Sequence, residues 1–327
     1  FEDIESKFFR FSSEYGFEAI PSMKTLRTVI HEDQFNIVSP EMEKHQKCID
    51  NGPGNVTLMY YLLQYYQLPA TFERTVYATQ SLQSDFLEMA IRHFRSHRER
   101  CSGSTYWQIN DTYPTISWAT LDYYGRWKGA HYVVKRSYGK VISYVEIGAD
   151  RVARLYVSSD ETSPLKLTCR LELIEQGRGA LYTECREITA EALTSSCAAS
   201  FKIPEMKELR SRECYLHYEI QCEGEVIDSG NRLLERPKKF HFLNPQLTVC
   251  VEEQAERFKI IVKTQQFARR VGIEFTDTDV ILSDNYFDLL PGESKMVWIE
   301  EIRSKKEVNQ ETLSEEIYLT SNYDMAR

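Results

Sequence analysis

The sequence predicts a multidomain chain in which an α/β segment precedes two β-sandwiches. Three observations carry that prediction. Helical periodicity is confined to the part before about Tyr138. Beyond it, short strands recur at regular spacing, as in all-β sandwiches. The strand-rich part also divides into two blocks, because Pro204 and the charged run from Glu205 to Arg212 read as a linker.

The α/β segment opens with Phe9-Arg10-Phe11-Ser12-Ser13-Glu14-Tyr15-Gly16-Phe17, a short alternating run that ends in a carboxylate and a glycine. Asn55 to Tyr66 and Phe72 to Phe94 are helical. In the second of these, Val76, Leu82, Phe86, Ala90 and Phe94 follow a 3.6-residue period, with Glu73, Arg74, Asp85 and Arg92 among the polar positions. Thr71 is placed to cap that helix. Cys101-Ser102-Gly103 then reads as a turn and Ser104 to Ile109 as a strand containing Trp107. Helices alternating with short strands indicate an α/β layer.

In the all-β part, Leu165 to Leu173 alternates strictly, which leaves one face apolar and one wet. Gln176-Gly177-Arg178-Gly179 is a hairpin turn; as a phosphate-binding loop it lacks the following helix. Strands recur to about Ile203, and a second series begins with Tyr215 to Cys222 and ends with Met296 to Ile302. The resulting division is 1–137 for the α/β part, 138–208 and 209–303 for the sandwiches, and 304–327 for a charged, peripheral tail.

Composition narrows the function classes. A net charge of −9 in 327 residues disfavours a nucleic-acid partner, and no apolar run is long enough for a membrane helix. Eight cysteines without a C-x-x-C pair argue against structural zinc, and a disulfide framework is not expected at this length. They read as reduced core residues, which leans towards the cytoplasm. The triplets Asn55-Val56-Thr57 and Asn110-Asp111-Thr112 match the glycosylation pattern, which chance also produces. His93 and His97 stand four apart on a helix, yet no carboxylate or third ligand is evident, so they read as a wet helix end. No G-x-S-x-G elbow is present. The absence of Met at Phe1, already at the approach to a strand, suggests one piece of a longer polypeptide.

In a (β/α)8 barrel the working groups stand at the C-terminal ends of strands. A retaining glycosidase needs two carboxyl groups about 5–5.5 Å apart. Glu14 and Trp107 suit a nucleophile and a sugar-stacking platform. By spacing alone Glu14 equally suits a solvated rim residue, Trp107 a core residue and Asp111 a turn-former.

The run Phe11-Ser12-Ser13-Glu14-Tyr15-Gly16-Phe17-Glu18-Ala19-Ile20-Pro21-Ser22 resembles the nucleophile segment of the β-mannosidases in glycoside hydrolase family 2. The resemblance continues through Glu32-Asp33-Gln34, Ser39-Pro40 and His45-Gln46-Lys47. It resumes from Gly103 to Pro114 and is most specific from Ser117 to Lys128, with Ala130-His131-Tyr132 after it. Leu282 to Glu293 is similar to the closing sandwich of those enzymes.

This resemblance implies the C-terminal part of a (β/α)8 TIM barrel followed by two immunoglobulin-like β-sandwiches. It implies Glu14 as the catalytic nucleophile, Trp107 and Asp111 as substrate-binding residues for a terminal β-mannose, and neither cofactor nor metal. The family's acid/base glutamate follows an asparagine, and no position here corresponds to it. Tyr15 stands where many relatives have Phe. An open parallel edge would then need the upstream part of the same protein, without which the chain is expected to be unstable and inactive. Two alternatives remain. One is another family 2 enzyme, acting on β-galactosides, β-glucuronides or internal mannosidic links. The other is a non-catalytic carbohydrate-binding protein of the same descent.

Overall fold

The computed structural model describes residues 1–48, 54–205, 209–304 and 307–327. They form two compact units that share the chain in an interleaved way. One comprises Phe1–Tyr15, Phe86–Tyr106 and Val134–His241; the other comprises Gly16–Asp85, Trp107–Val133 and Phe242–Arg327.

In the first unit, β1 (Ser12–Tyr15) and β2 (Ser104–Tyr106) pair in parallel, with Ser12 opposite Ser104 and Tyr15 opposite Tyr106. Parallel neighbours need a crossover, and the chain between them holds the helices Gly54–Tyr65 and Phe72–Ser96. The latter is capped as expected, with the Arg74 amide donating to Thr71 Oγ1 at 3.2 Å. Trp107 falls just beyond β2 rather than inside it.

The same unit contains a sandwich. One sheet is β3 (Val141–Ile147), β4 (Val152–Ser159) and β7 (Ser195–Lys202). The other runs in the order β6 (Gly179–Ala190), β5 (Leu165–Glu175), β8 (Cys214–Cys222), β9 (Glu225–Leu233). The alternation of β5 sends Leu167, Cys169, Leu171 and Leu173 into a core with Val145, Leu155, Leu216 and Ile220. Positive φ angles at Gly177 and Gly179 make the β5–β6 turn, and Glu223 with Gly224 makes the β8–β9 turn in the same way.

This topology corrects one expectation. Tyr215 to Cys222 belongs to the first sandwich, because β8 pairs with β5 along Thr168–Glu175. β7 and β8, on either side of Pro204, therefore lie in the two sheets of one sandwich rather than in two domains. Residues 206–208 of that expected linker lie outside the described residues.

The second unit buries Ile20, Met23, Leu26, Met42, Leu58, Val76 and Ile116 in one cluster. Its sandwich pairs β10 (Thr248–Gln254), β11 (Arg257–Lys263), β15 (Ser294–Arg303) and β13 (Asp279–Leu282) in that order. Facing this sheet, β12 (Ala268–Phe275) lies between β14 (Phe287–Leu289) and β16 (Ile317–Thr320). The expected peripheral tail is instead structural. Leu313, on the helix Gln310–Glu316, is fully buried, and β16 pairs with Gly272–Phe275.

The long helix also departs from a simple wet and dry face. Asp85 is buried and receives Arg269 Nη2 at 2.7 Å, Arg270 Nε at 2.8 Å and the Tyr66 hydroxyl at 2.5 Å. Arg92 is likewise buried and ion-paired with Asp228 at 2.6 Å. Cys101, Cys169 and Cys214 are core residues, whereas Cys185, Cys197 and Cys250 are exposed thiols. Among the described residues, no helix is long and apolar enough to cross a membrane.

Candidate active site

Glu14 belongs to the first unit and sits near the C-terminal end of β1. Burial does not alternate along this short strand: Ser12 and Tyr15 are buried while Ser13 and Glu14 are exposed, and the pairing register shifts between Ser12 and Tyr15. Tyr15 anchors this end: its hydroxyl lies 3.1 Å from Ser104 Oγ, and its ring meets Phe94 edge-on at 5.3 Å. Among the described residues, the Glu14 carboxylate has no hydrogen-bond or ion-pair partner. It is an open carboxylate on an anchored strand end.

Trp107 and Asp111 belong to the second unit. Trp107 is 49% exposed, so it is not the core residue that strand placement alone allowed. The Trp107–Gln108 peptide is cis. The following segment is held by backbone bonds from Thr120 N to Gln108 O at 3.0 Å and from Leu121 N to Ile109 O at 2.7 Å.

Asp111 braces the same loop. Its side chain is 2% exposed and accepts from Gln108 Nε2 at 3.0 Å and from the Ser117 hydroxyl, with Lys47 Nζ at 3.5 Å. Both carboxylate oxygens are thus committed to the protein. Of the two glycosylation triplets, Asn55 is buried within a helix. Its side chain accepts from Gln46 Nε2 at 2.8 Å and donates to the Ile37 carbonyl at 2.7 Å.

Sequence reasoning missed the most unusual side chain here. Lys128 is 2% exposed, and its ammonium donates to the carbonyls of Ala19 at 2.9 Å and Ser117 at 3.2 Å. It ties the segment after Gly16 to the segment after Asp111. Burial pushes its pKa down to about 8, with Asp111, Asp122 and Glu18 opposing the shift. Glu18 is held the other way: burial raises it to about 7, although Lys128 and Gln46 favour its charged form. One oxygen, Oε1, is buried without a hydrogen bond. Lysine is almost never fully buried unless paired, so no sequence pattern announced this cluster.

Two more groups complete the frame. The Thr25 hydroxyl donates to Asp122, which also accepts the amides of Tyr124 and Arg126, both at 2.9 Å. Arg126 clasps Asp279 with two bonds of 2.8 and 2.6 Å. Arg126 and Lys128 both fall in the run that carries the resemblance, but their partners are distant in sequence.

Residues 151–239 match the mannosidase Ig/CBM-like domain family, and residues 242–325 match the Ig-fold domain of mannosidases. A β-mannosidase from Rattus norvegicus is 26% identical over 319 residues, covering 88% of this chain and 35% of the relative. β-Mannosidase A from Aspergillus terreus is 26% identical over 323 residues, covering 88% of this chain and 34% of the relative. The chain therefore spans about a third of the length of the relatives it matches.

Among solved structures, a β-D-mannosidase from Dictyoglomus thermophilum matches with a TM-score of 0.83 at 20% identity, covering 95% of this chain and 37% of that one. An exo-chitosanase from Amycolatopsis orientalis matches with a TM-score of 0.71 at 16% identity, covering 96% and 42%. These likenesses establish a shared fold, including immunoglobulin-like domains. Both domain models match in series, so residues 151–239 and 242–325 belong to the mannosidase immunoglobulin-like domain families, and the chain as a whole is similar to β-mannosidases along most of its length.

Proposed function

We propose that this chain carries the nucleophile of a retaining glycoside hydrolase that removes terminal β-D-mannose from β-mannosides. The observation that carries the reading is Glu14: an outward-facing carboxylate near the end of a parallel strand, inside the family's nucleophile segment. In this reading β1 and β2 are the last two strands of a (β/α)8 barrel whose other strands lie upstream in the same protein. Residues 1–137 form the barrel part. With β8 and β9 assigned to the first sandwich, the next division falls near His241 rather than at 208.

The chemistry is a double displacement. The Glu14 carboxylate attacks the anomeric carbon as the glycosidic C–O bond breaks, giving a glycosyl-enzyme. A glutamate outside this chain protonates the departing oxygen and then takes a proton from the water that releases mannose. Trp107 presents its indole to the sugar ring. Asp111, the other proposed substrate-binding residue, acts through the loop it braces, because its oxygens are already bonded to Gln108 and Ser117. Neither metal nor cofactor is needed for these steps. The exposed thiols of Cys185, Cys197 and Cys250 suit a reducing compartment.

A panel of aryl β-glycosides tests the assignment on the complete polypeptide. The mannoside should be the preferred substrate, and Glu14→Gln should lower its turnover by at least about 10⁴-fold. Preference for the galactoside, glucuronide or glucosaminide would reassign the substrate. Near-normal turnover in Glu14→Gln would remove Glu14 from the nucleophile role.

A further inference from the structure

Within the first unit, the C-terminal turns of the helix Phe72–Ser96 are fastened to the first sandwich by ion pairs. Arg92 pairs with Asp228 at 2.6 Å, while Arg95 and Arg98 each reach Asp160 at 2.7 Å. His93 and His97 join them, both directed at one oxygen of Glu146 on β3. His93 Nδ1 is 2.7 Å and His97 Nε2 is 2.8 Å from Glu146 Oε1. Nothing in the spacing of His93 and His97 revealed this carboxylate, which is 53 residues further along the chain.

The tautomer of His93 follows from its partners. Its Nε2 lies 2.9 Å from the Lys7 carbonyl, which can only accept, so Nε2 carries a proton. A neutral ring would then turn the Nδ1 lone pair onto a carboxylate oxygen. With Glu146 held ionised, the contact is attractive only if Nδ1 is also protonated or a cation intervenes. The separations of 2.7 and 2.8 Å are hydrogen-bond lengths, which leave no room for an ion between the groups.

We propose that His93, Glu146 and His97 form a proton-operated latch, which fastens the helix to β3 in mildly acidic solution and loosens as the imidazoles lose their protons. Histidine is the side chain type that changes charge near neutral pH, whereas the arginines fastening this helix stay charged. The surroundings support protonation. Glu5 faces His93 from the N-terminal segment and is itself clasped by Arg232 at 2.6 and 3.0 Å. Tyr156 of β4 lies 5.2 Å from the His97 ring, and Cys197 of β7 lies near Glu146 with Arg154 beside it. Phe8 covers both imidazoles, edge-on to His97 at 4.9 Å.

Burial opposes a charge on His93, but the Glu146 carboxylate and the Lys7 carbonyl raise its pKa above the usual value. Burial likewise opposes the charge on Glu146, which the two imidazoles overcome, holding it down at about 2. A raised imidazole stabilises below its unfolded pKa and loses that contribution as pH climbs through the folded value. A depressed carboxylate stabilises above its unfolded pKa and fails only near pH 2. The latch is therefore fully closed between about pH 4.5 and 6.5.

The test is amide hydrogen exchange on the whole polypeptide, corrected for the intrinsic effect of pH. Protection of Val141–Ile147 and of the helix end should fall about tenfold between pH 6 and 8.5 in the parent. His93→Gln and Glu146→Gln should abolish that dependence, and Asp160→Asn should leave it intact. If His93→Gln does not fold, His97→Gln, at a partly buried position, should weaken the dependence. Protection that is flat in the parent, or an unchanged slope in the Glu146→Gln variant, overturns the proposal. So does zinc restoring full protection at pH 8.5, which would make the cluster a cation site.

Discussion

The backbone at Gly16 lies directly against the carbonyl of Trp107, so that a Cβ at position 16 would stand 2.1 Å from that oxygen. Gly16 is therefore required by close approach. Gly16→Ala should displace the Trp107 segment. The expected cost is about 1–3 kcal/mol of stability, with a loss in kcat/KM larger than the loss in Tm would explain. Unchanged kinetics would show that Trp107 need not be held where it is.

Glu18 gives a pH-dependent prediction. Its folded pKa is raised to about 7, so its contribution is intact at low pH and is lost as pH rises through 7. Glu18→Gln keeps the shape and removes the ionisation. It should leave stability nearly unchanged at pH 5 and raise it by about 1–2 kcal/mol at pH 8, measured as the difference in unfolding midpoint at the two values. A variant less stable than the parent at pH 8 would mean that the Glu18 charge is needed by Lys128.

Asp85 is the reverse case. Its carboxylate stays charged because Arg269 and Arg270 outweigh a large burial penalty and hold its pKa below the usual range. Asp85→Asn leaves two buried guanidinium groups without their anion, which should cost about 3–5 kcal/mol. Thermal unfolding or soluble yield would register that loss. A variant within 1 kcal/mol of the parent would contradict the view that this buried triad braces the second unit.

What could be read from sequence was local. The alternation from Leu165 to Leu173 gave the inward face of β5, and Thr71 marked the start of the long helix. Turn residues at Gly177 and Gly179 marked a hairpin. Long-range pairing was not legible. Nothing in Tyr215 to Cys222 says that its partner is Leu165–Glu175, and a proline followed by charges looks like a linker whether or not the chain stays in the same sandwich. The closing segment hid for a related reason, since Leu313, Ile317 and Leu319 are sparse among charged neighbours. Within the site, Glu14 and Trp107 were visible through their motifs. Lys128, Glu18 and the Glu146 partner of His93 were not, because burial and distant pairing leave no spacing to recognise.

As the proposed nucleophile, Glu14 forms the bond to sugar. The most direct measurement treats the complete polypeptide with a fluorinated mannosyl trapping reagent and maps the modified peptide by mass spectrometry. One covalent mannosyl adduct is expected on Glu14, absent from Glu14→Gln. An adduct on any other carboxylate, with Glu14 unmodified, would contradict it.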